Sequence, residues 1–312
     1  MKINLTKKNR KDNYIVLAEN FYLDDRKENA VKSYKKALSF SEDEDETIDI
    51  LYNIAFVYDE MGMAKEALEM YRRITEISSE EVGAFYGMAT MYERLDKKDI
   101  ALDFYFKAVE KNSEYDRAYF YIANLYDELG KKDLAIKYYK KVIKLVPKDY
   151  IAYNNLGSIY EELGDYDMAR KMIGISIEIK PGYYKALFNM GVIYKKLNNY
   201  DKSLEYYSES IKNNKNYPYS YLNKSVIYIE QEKLGDAVHV LTEGIKNNPY
   251  AEFLYYNRAC CYSKLGKINE GIKDLRKAII LYPNFVEIIK NDDDLKNLYE
   301  DERFASLIRQ RT

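Results

Sequence analysis

One pattern governs what this chain can become: a block of 34 residues that recurs along most of its length. The copy AYNNLGSIYEELGDYDMA, residues 152–169, shows its core of bulky, small and turn-forming residues. From residue 48 onward the step needs no gap, giving repeats 48–81, 82–115, 116–149, 150–183, 184–217, 218–251 and 252–285. An earlier copy occupies 11–44 and is followed by a three-residue insertion, Asp45 to Thr47. A short unit repeated without interruption buries its apolar face against its neighbours. The chain is therefore expected to grow as a stack, although 312 residues would otherwise suggest about two globular domains.

Numbered from 1 within each repeat, the columns differ in physical role. Position 8 is always small (Ala18, Ala55, Ala89, Ala123, Gly157, Gly191, Ser225, Ala259), and so is position 20 (Ala30, Ala67, Ala101, Ala135, Ala169, Ser203, Ala237, Gly271). Position 11 is Phe21 and then tyrosine from Tyr58 to Tyr262. Position 24 is Tyr34, Tyr71, Tyr105, Tyr139 and Tyr207, with Ile173, Leu241 and Leu275 in the other copies. Positions 4, 7, 8 and 11 fall at helical spacing and form one apolar stripe; positions 20, 24 and 27 form a second. Between them, position 15 is Gly, Asp or Asn except at Glu232, and those residue types suit a left-handed turn. Pro147, Pro181, Pro249 and Pro283 at position 32 predict the end of the second helix. Each repeat reads as two antiparallel helices whose axes approach over the small residues while the bulky ones fill the spaces beside them. Most of the 35 tyrosines are expected to pack rather than to form a stacking surface.

The repeat length and the large–small–aromatic order resemble the tetratricopeptide repeat. The resemblance covers 11–285 and implies an all-α fold: a right-handed α-α superhelix of eight helix-turn-helix repeats with a C-terminal capping helix. Residues 1–10 then form an N-terminal extension. Residues 286–312 form a cap, anchored by Leu295, Leu298, Phe304, Leu307 and Ile308, that seals the exposed apolar end of the stack. Its D-D-D-L…L…D-x-R-F…L ending is similar to those that follow bacterial arrays. The acidic run Glu42 to Glu46 suits a helix N-terminus.

Composition narrows the function classes. A net charge of -2 leaves no basic excess for nucleic acid. No apolar run approaches the ~18 residues of a membrane helix, so no membrane insertion is expected. The opening MKINLTKKNRKDNYIV is too charged for a signal peptide; a cytoplasmic location is expected. Cys260 and Cys261 are adjacent, which suits neither a disulfide framework nor zinc spacing. His239 is the only histidine and lies in a second helix, so no metal site, cofactor or catalytic group is expected, although Cys260 at position 9 could reach the groove.

Function should lie on residues the stack does not consume. In the first helix of each repeat, positions 2, 5, 6, 9, 12 and 13 are expected to line the concave surface. Position 6 is Asn53, Asn155, Asn189, Asn223 and Asn257, with Val16, Gly87 and Tyr121 elsewhere; Asn124 and Asn154 lie nearby. Asparagine carries a donor and an acceptor and can hold a peptide unit whatever side chain that unit bears. The resemblance implies such a role, since family members with asparagine rows bind extended peptides. Position 5 is aromatic at Tyr52, Tyr86, Phe120, Phe188 and Tyr256, and with Tyr121 these could supply side-chain pockets. Lys185 stands at position 2, but Asn189 occupies the place where the family's carboxylate clamp requires Arg, so that clamp is not expected. Acids recur at position 12 (Asp59, Glu93, Asp127, Glu161) near a helix C-terminus, where the dipole disfavours them. They suggest a partner that is basic where it meets repeats two to five. The expected function is a non-enzymatic scaffold that binds a protein or extended peptide in its groove. The alternatives are a peptide-sensing regulatory protein or a self-assembling structural component; oligomeric state is left open.

Overall fold

The computed structural model describes residues 6–309; residues 1–5 of the N-terminal extension and 310–312 of the cap lie outside the described residues. The fold is all-α, and the helices follow one another in antiparallel pairs. The chain divides into two compact units, the first running to Pro147 and the second starting at Lys148. The first holds α1 (Lys7–Leu23), α2 (Lys27–Leu38), α3 (Glu44–Glu60), α4 (Ala64–Ile77), α5 (Val82–Arg94), α6 (Lys98–Lys111), α7 (Asp116–Glu128) and α8 (Lys132–Leu145). The second holds α9 (Tyr150–Glu162), α10 (Tyr166–Ile179), α11 (Tyr184–Lys196), α12 (Tyr200–Asn213), α13 (Pro218–Glu230), α14 (Leu234–Asn247), α15 (Glu252–Lys264) and α16 (Ile268–Leu281). The second unit ends in α17 (Phe285–Ile289), a 3-10 helix (Asp293–Leu298) and α18 (Glu302–Arg309).

The turn inside each pair is the same device eight times. Gly62, Gly130, Gly164 and Gly266 have positive φ, and so do Asp25, Asp96, Asn198 and Glu232. Each reversal closes two backbone hydrogen bonds past the helix end, as in Gly62 N–H to Asp59 O at 2.9 Å and Met63 N–H to Tyr58 O at 2.9 Å. This is the Schellman arrangement, which satisfies carbonyls that would otherwise be orphaned at a helix C-terminus. Glu232, the residue out of type, adopts φ 58 like the rest.

The stop of the second helices has a different cause from the one the prolines suggest. The helices α4, α6 and α12 end at the same repeat position as those followed by proline. The next residues, Ser78, Asn112 and Asn214, are extended, and each donates its N–H four residues back, to Ile74, Ala108 and Ser210. Entry into the next repeat ends the helix, and proline is merely tolerated there. The three-residue insertion lengthens the start of α3, whose N-cap Asp43 accepts from Glu46 N–H at 3.0 Å. The acids Glu44, Asp45 and Glu46 sit in that first turn, where the helix dipole favours them.

Close approach within a pair depends on the small columns. A Cβ on Gly157 would lie 2.4 Å from Ile173 Cγ1, and one on Gly191 would lie 2.7 Å from Tyr207. The tyrosines of positions 11 and 24 divide their work. Tyr105, Tyr139 and Tyr207 are fully buried. Tyr92, Tyr126 and Tyr194 are half-buried and stack on Phe104, Tyr138 and Tyr206 of the following helix, with centroids 5.3, 5.6 and 5.5 Å apart. At the end of the second unit, buried Leu295 and Leu298 close over α15 and α16.

Candidate functional site

In the first unit the predicted residues lie on α3, α5 and α7. Tyr52 stands edge-on to Tyr71 at 6.1 Å and donates its hydroxyl to Glu81 at 3.1 Å. Tyr86 meets the rings of Tyr105, Tyr115 and Tyr121 at 5.7, 5.6 and 5.8 Å. Burial, with the hydroxyls of Tyr121 and Tyr115, pushes the phenol of Tyr86 above its ordinary range. Tyr121 stacks on Tyr105 of the preceding repeat, 5.7 Å away and 11° from parallel. In the same column a Cβ on Gly87 would fall 2.5 Å from the ring of Tyr71. At Gly87 and Tyr121, position 6 thus lies against the position-24 ring of the preceding repeat, a packing role beyond the groove role assigned to it. Asn53 is exposed, and its side chain makes no hydrogen bond among the described residues. Asn124 accepts from the hydroxyl of Tyr139.

Half of the acidic row is answered from within. Asp59 pairs with Arg94 at 2.8 Å and Asp127 with Lys132 at 2.7 Å, while the adjacent Glu128 and Glu60 reach Lys98 at 2.8 Å and Lys27 at 3.6 Å. Asp59–Arg94, Glu128–Lys98 and Glu60–Lys27 join neighbouring repeats. Glu93 makes no ion pair among the described residues; Tyr105 donates its hydroxyl to it, and burial holds its carboxyl above the usual range.

In the second unit the predicted residues lie on α9, α11, α13 and α15. Asn154 is buried, accepts from Asn189 Nδ2 at 3.0 Å and donates to Asn155 Oδ1 at 3.2 Å, so one amide relay ties α11 to α9. Asn223 and Asn257 donate to carbonyls one turn back in their own helices, Tyr219 O at 3.0 Å and Phe253 O at 2.7 Å. Those bonds fix each carboxamide while its oxygen takes no hydrogen bond among the described residues. Phe188 leans on Tyr207 at 5.7 Å and Tyr217 at 5.3 Å. Lys185 is exposed. Glu161 is half-buried and makes no ion pair among the described residues; burial raises its carboxyl, with Lys196 pulling the other way.

The structure gives Tyr256 another role than an open pocket. Its hydroxyl donates to Asp292, and its ring stacks on Phe285 at 5.0 Å. The C-terminal segment covers it because the last repeat has no successor on which to pack. Lys264–Asp294 at 2.8 Å and Asn297 Nδ2 to Ser263 O at 3.0 Å hold that segment along α15. Cys260 lies beneath it, and burial with Asp292 and Asp294 pushes its thiol far up; Cys261 is raised to about 11, again mainly by burial. Neither has the depressed thiol of a nucleophile. His239 is exposed on α14.

Columns 4, 11 and 24 do not contain a further set of aromatics, at the joints between repeats. In the second unit Tyr150 meets Tyr183 at 4.9 Å, Tyr183 meets Tyr184 at 6.1 Å, and Tyr184 meets Tyr217 at 4.9 Å. Tyr217 meets Tyr219 at 5.4 Å, and Tyr219 stacks on Phe253 at 5.3 Å. A chain of rings thus runs past the N-terminal ends of α9, α11, α13 and α15, beside the asparagine row. Its signal was present as tyrosines recurring at positions 34 and 1.

The pairing of helices, the left-handed turn and the small–aromatic contacts recur with a period that family profiles also detect. Tetratricopeptide-repeat profiles match residues 48–81, 116–149, 138–171, 184–217 and 253–285, together half of the chain. The chain belongs to the tetratricopeptide-repeat family. A tetratricopeptide repeat protein from Parabacteroides merdae superposes with a TM-score of 0.63 at 20% identity, covering 81% of this chain and 99% of that one. A chain of the APC/C hetero-tetramer Cut9-Hcn1 gives 0.61 at 16% identity, covering 92% of this chain and 55% of that one. MamA from Desulfovibrio magneticus gives 0.50 at 15% identity, covering 54% of this chain and 95% of that one. At these identities the likeness is one of tetratricopeptide fold. No curated protein matches the sequence significantly. Among the described residues no helix is long and apolar enough to cross a membrane.

Proposed function

We propose that this tetratricopeptide array is an interaction scaffold and that its second unit holds an extended protein segment across successive first helices. The observation that supports this most is the asparagine column Asn155, Asn189, Asn223 and Asn257, one residue per first helix at 34-residue steps. In Asn189, Asn223 and Asn257 the amide nitrogen is already committed within the chain. A carboxamide held in that way offers its oxygen to a backbone N–H without first losing rotamer freedom. Packed helix axes lie ~8–10 Å apart, about three residues of an extended strand at ~3.3 Å each. Each asparagine would therefore meet about every third peptide unit. Three such bonds contribute ~1.5–4.5 kcal/mol in all, too little for stable capture alone. The rings of Tyr184, Tyr217 and Tyr219 beside the row would supply apolar contact for intervening side chains. In-chain pairing of Asp59 and Asp127 leaves Glu161, on α9 of the second unit, as the acid of that row that a basic residue of the segment would meet.

The test is selection of peptides from a displayed random library on the full chain, followed by titration of the selected peptide against Asn155→Ala/Asn189→Ala/Asn223→Ala. A loss of tenfold or more in affinity, with an unchanged helical melt, supports the reading. An unchanged affinity refutes it.

A further inference from the structure

The first unit carries a second candidate surface, formed by α6 and α8 with Tyr119 of α7. Between α6 and α8 lies a pocket of about 610 Å³ with an aromatic wall and a basic rim. Tyr138 stacks on Tyr119 at 6.1 Å and on Tyr126 at 5.6 Å, and Phe106 meets it edge-on at 5.8 Å. These contacts leave the Tyr138 ring little freedom. Along the rim, Lys137, Lys141 and Lys144 follow at i, i+4 and i+7 on α8, which puts them on one helical face. Lys140 joins them, and among the described residues the one carboxylate lining the pocket is Glu110. Lys137 and Lys141 lie over the rings of Tyr138 and Tyr119, each 5.3 Å from the centroid.

Like charges a turn apart on one helix face repel, so this stripe disfavours α8 by itself. The rings beneath it hold two of the ammonium groups in place. An aromatic floor with fixed cations around it favours an apolar side chain flanked by carboxylates. Lys137 to Lys144 spans seven residues, about 10 Å along the helix, which is about three residues of an extended chain. Single-stranded nucleic acid needs a longer basic track with successive stacking platforms, and this pocket offers one. We infer that the α6–α8 face is a docking site for an acidic protein segment carrying an aromatic residue, separate from the asparagine row.

The test uses the full chain and a fluorescein-labelled peptide, Glu-Asp-Glu-Phe-Asp-Glu-Asp, followed by fluorescence anisotropy. Wild type binds it, the affinity falls as salt rises, and replacing the central Phe by Ser weakens it at least threefold. Lys137→Glu/Lys141→Glu, both at the solvent-facing rim, lowers affinity tenfold or more with an unchanged circular-dichroism spectrum. Asn155→Ala/Asn189→Ala/Asn223→Ala binds the peptide as wild type does, which separates this surface from the proposed groove. The inference is overturned if wild type fails to bind the peptide, or if the charge-reversed variant binds it equally. It is also overturned if a twelve-nucleotide oligo(dT) binds in a Lys137- and Lys141-dependent manner while the peptide does not.

Discussion

Glu232 holds a backbone conformation that its side chain disfavours, and replacing it with glycine should stabilise the second unit. Its φ is 58, in the column where four repeats use glycine and three use Asp or Asn. The side chain is exposed, and the backbone N–H donates to Ile229 O at 3.0 Å, a bond that glycine keeps. A left-handed residue with a Cβ costs ~1–2 kcal/mol. Glycine gives back ~0.5–1 kcal/mol through the greater freedom it loses on folding. The expected net gain from Glu232→Gly is ~0.5–1 kcal/mol. A repeat array need not melt in one step, so the sensitive assay is native-state hydrogen exchange in α13 and α14. Protection there should rise by about two- to fivefold. Gly164→Ala is the reciprocal control: nothing lies within 4 Å of the added Cβ, so any loss comes from φ 79 alone. If Glu232→Gly left exchange unchanged while Gly164→Ala weakened α9 and α10, the left-handed column would not cost Glu232 what this reasoning assigns.

Gly157→Ala and Gly191→Ala should each cost ~1–3 kcal/mol by overpacking, because the new methyl would meet Ile173 or Tyr207. Gly174→Ala, in the middle of α10 with open space around it, should gain ~0.5–1 kcal/mol; urea denaturation reads all three. Burial holds the Glu93 carboxyl above its ordinary value, so the native state takes up this proton at a higher pH than the unfolded chain does. Its contribution therefore falls as pH rises from the ordinary carboxylate value through the raised one, and it opposes folding at neutral pH. Glu93→Gln should flatten that part of the stability–pH curve and gain most at pH 7; an unchanged curve in urea titrations between pH 4 and 7 would contradict it. Arg258 and Asp274 form a buried two-pronged pair at 2.6 and 2.8 Å, where α5 carries Met88 and α6 Phe104 in the corresponding positions. Arg258→Met or Asp274→Met alone should cost ~3–5 kcal/mol by stranding the other charge, and the double variant should recover most of it; thermal melts of all three check the coupling.

Much of the fold was legible because each repeat states the same local chemistry eight times. The turn column was legible at the Gly, Asp and Asn positions but not at Glu232, which turns left-handed all the same because the flanking helices pair as they do in the other repeats. The small columns predicted close approach, and Gly157 against Ile173 shows it. The stop of the second helices was misattributed because proline marks a place where a helix cannot continue, whereas Ser78, Asn112 and Asn214 end theirs by turning into the next repeat. The site was less legible, for two physical reasons. Its charges pair across neighbouring repeats: Asp59 has Arg94 35 residues on, and sequence spacing alone does not distinguish that partner from others. Its aromatics gather from different positions of adjacent repeats, so that Tyr183 and Tyr184 of one joint meet Tyr150 and Tyr217 of the joints beside it.

The same comparison limits how long a bound segment in the second unit can be. In the first unit Gly87 and Tyr121 at position 6 lie against rings of the preceding repeat, Tyr71 and Tyr105. In the second unit Asn189 follows Ile173, a smaller neighbour, and its nitrogen turns instead to Asn154. At the far end the C-terminal segment covers α15 over Tyr256, beside Asn257. The stretch between these limits carries Asn155, Asn189 and Asn223 on α9, α11 and α13. Two helix-to-helix steps of ~8–10 Å match five or six extended residues at ~3.3 Å each. A selected peptide should therefore show a core of that length, with tolerance for any side chain at every third position, where an amide grips the backbone, and apolar preference between them, where the joint tyrosines lie.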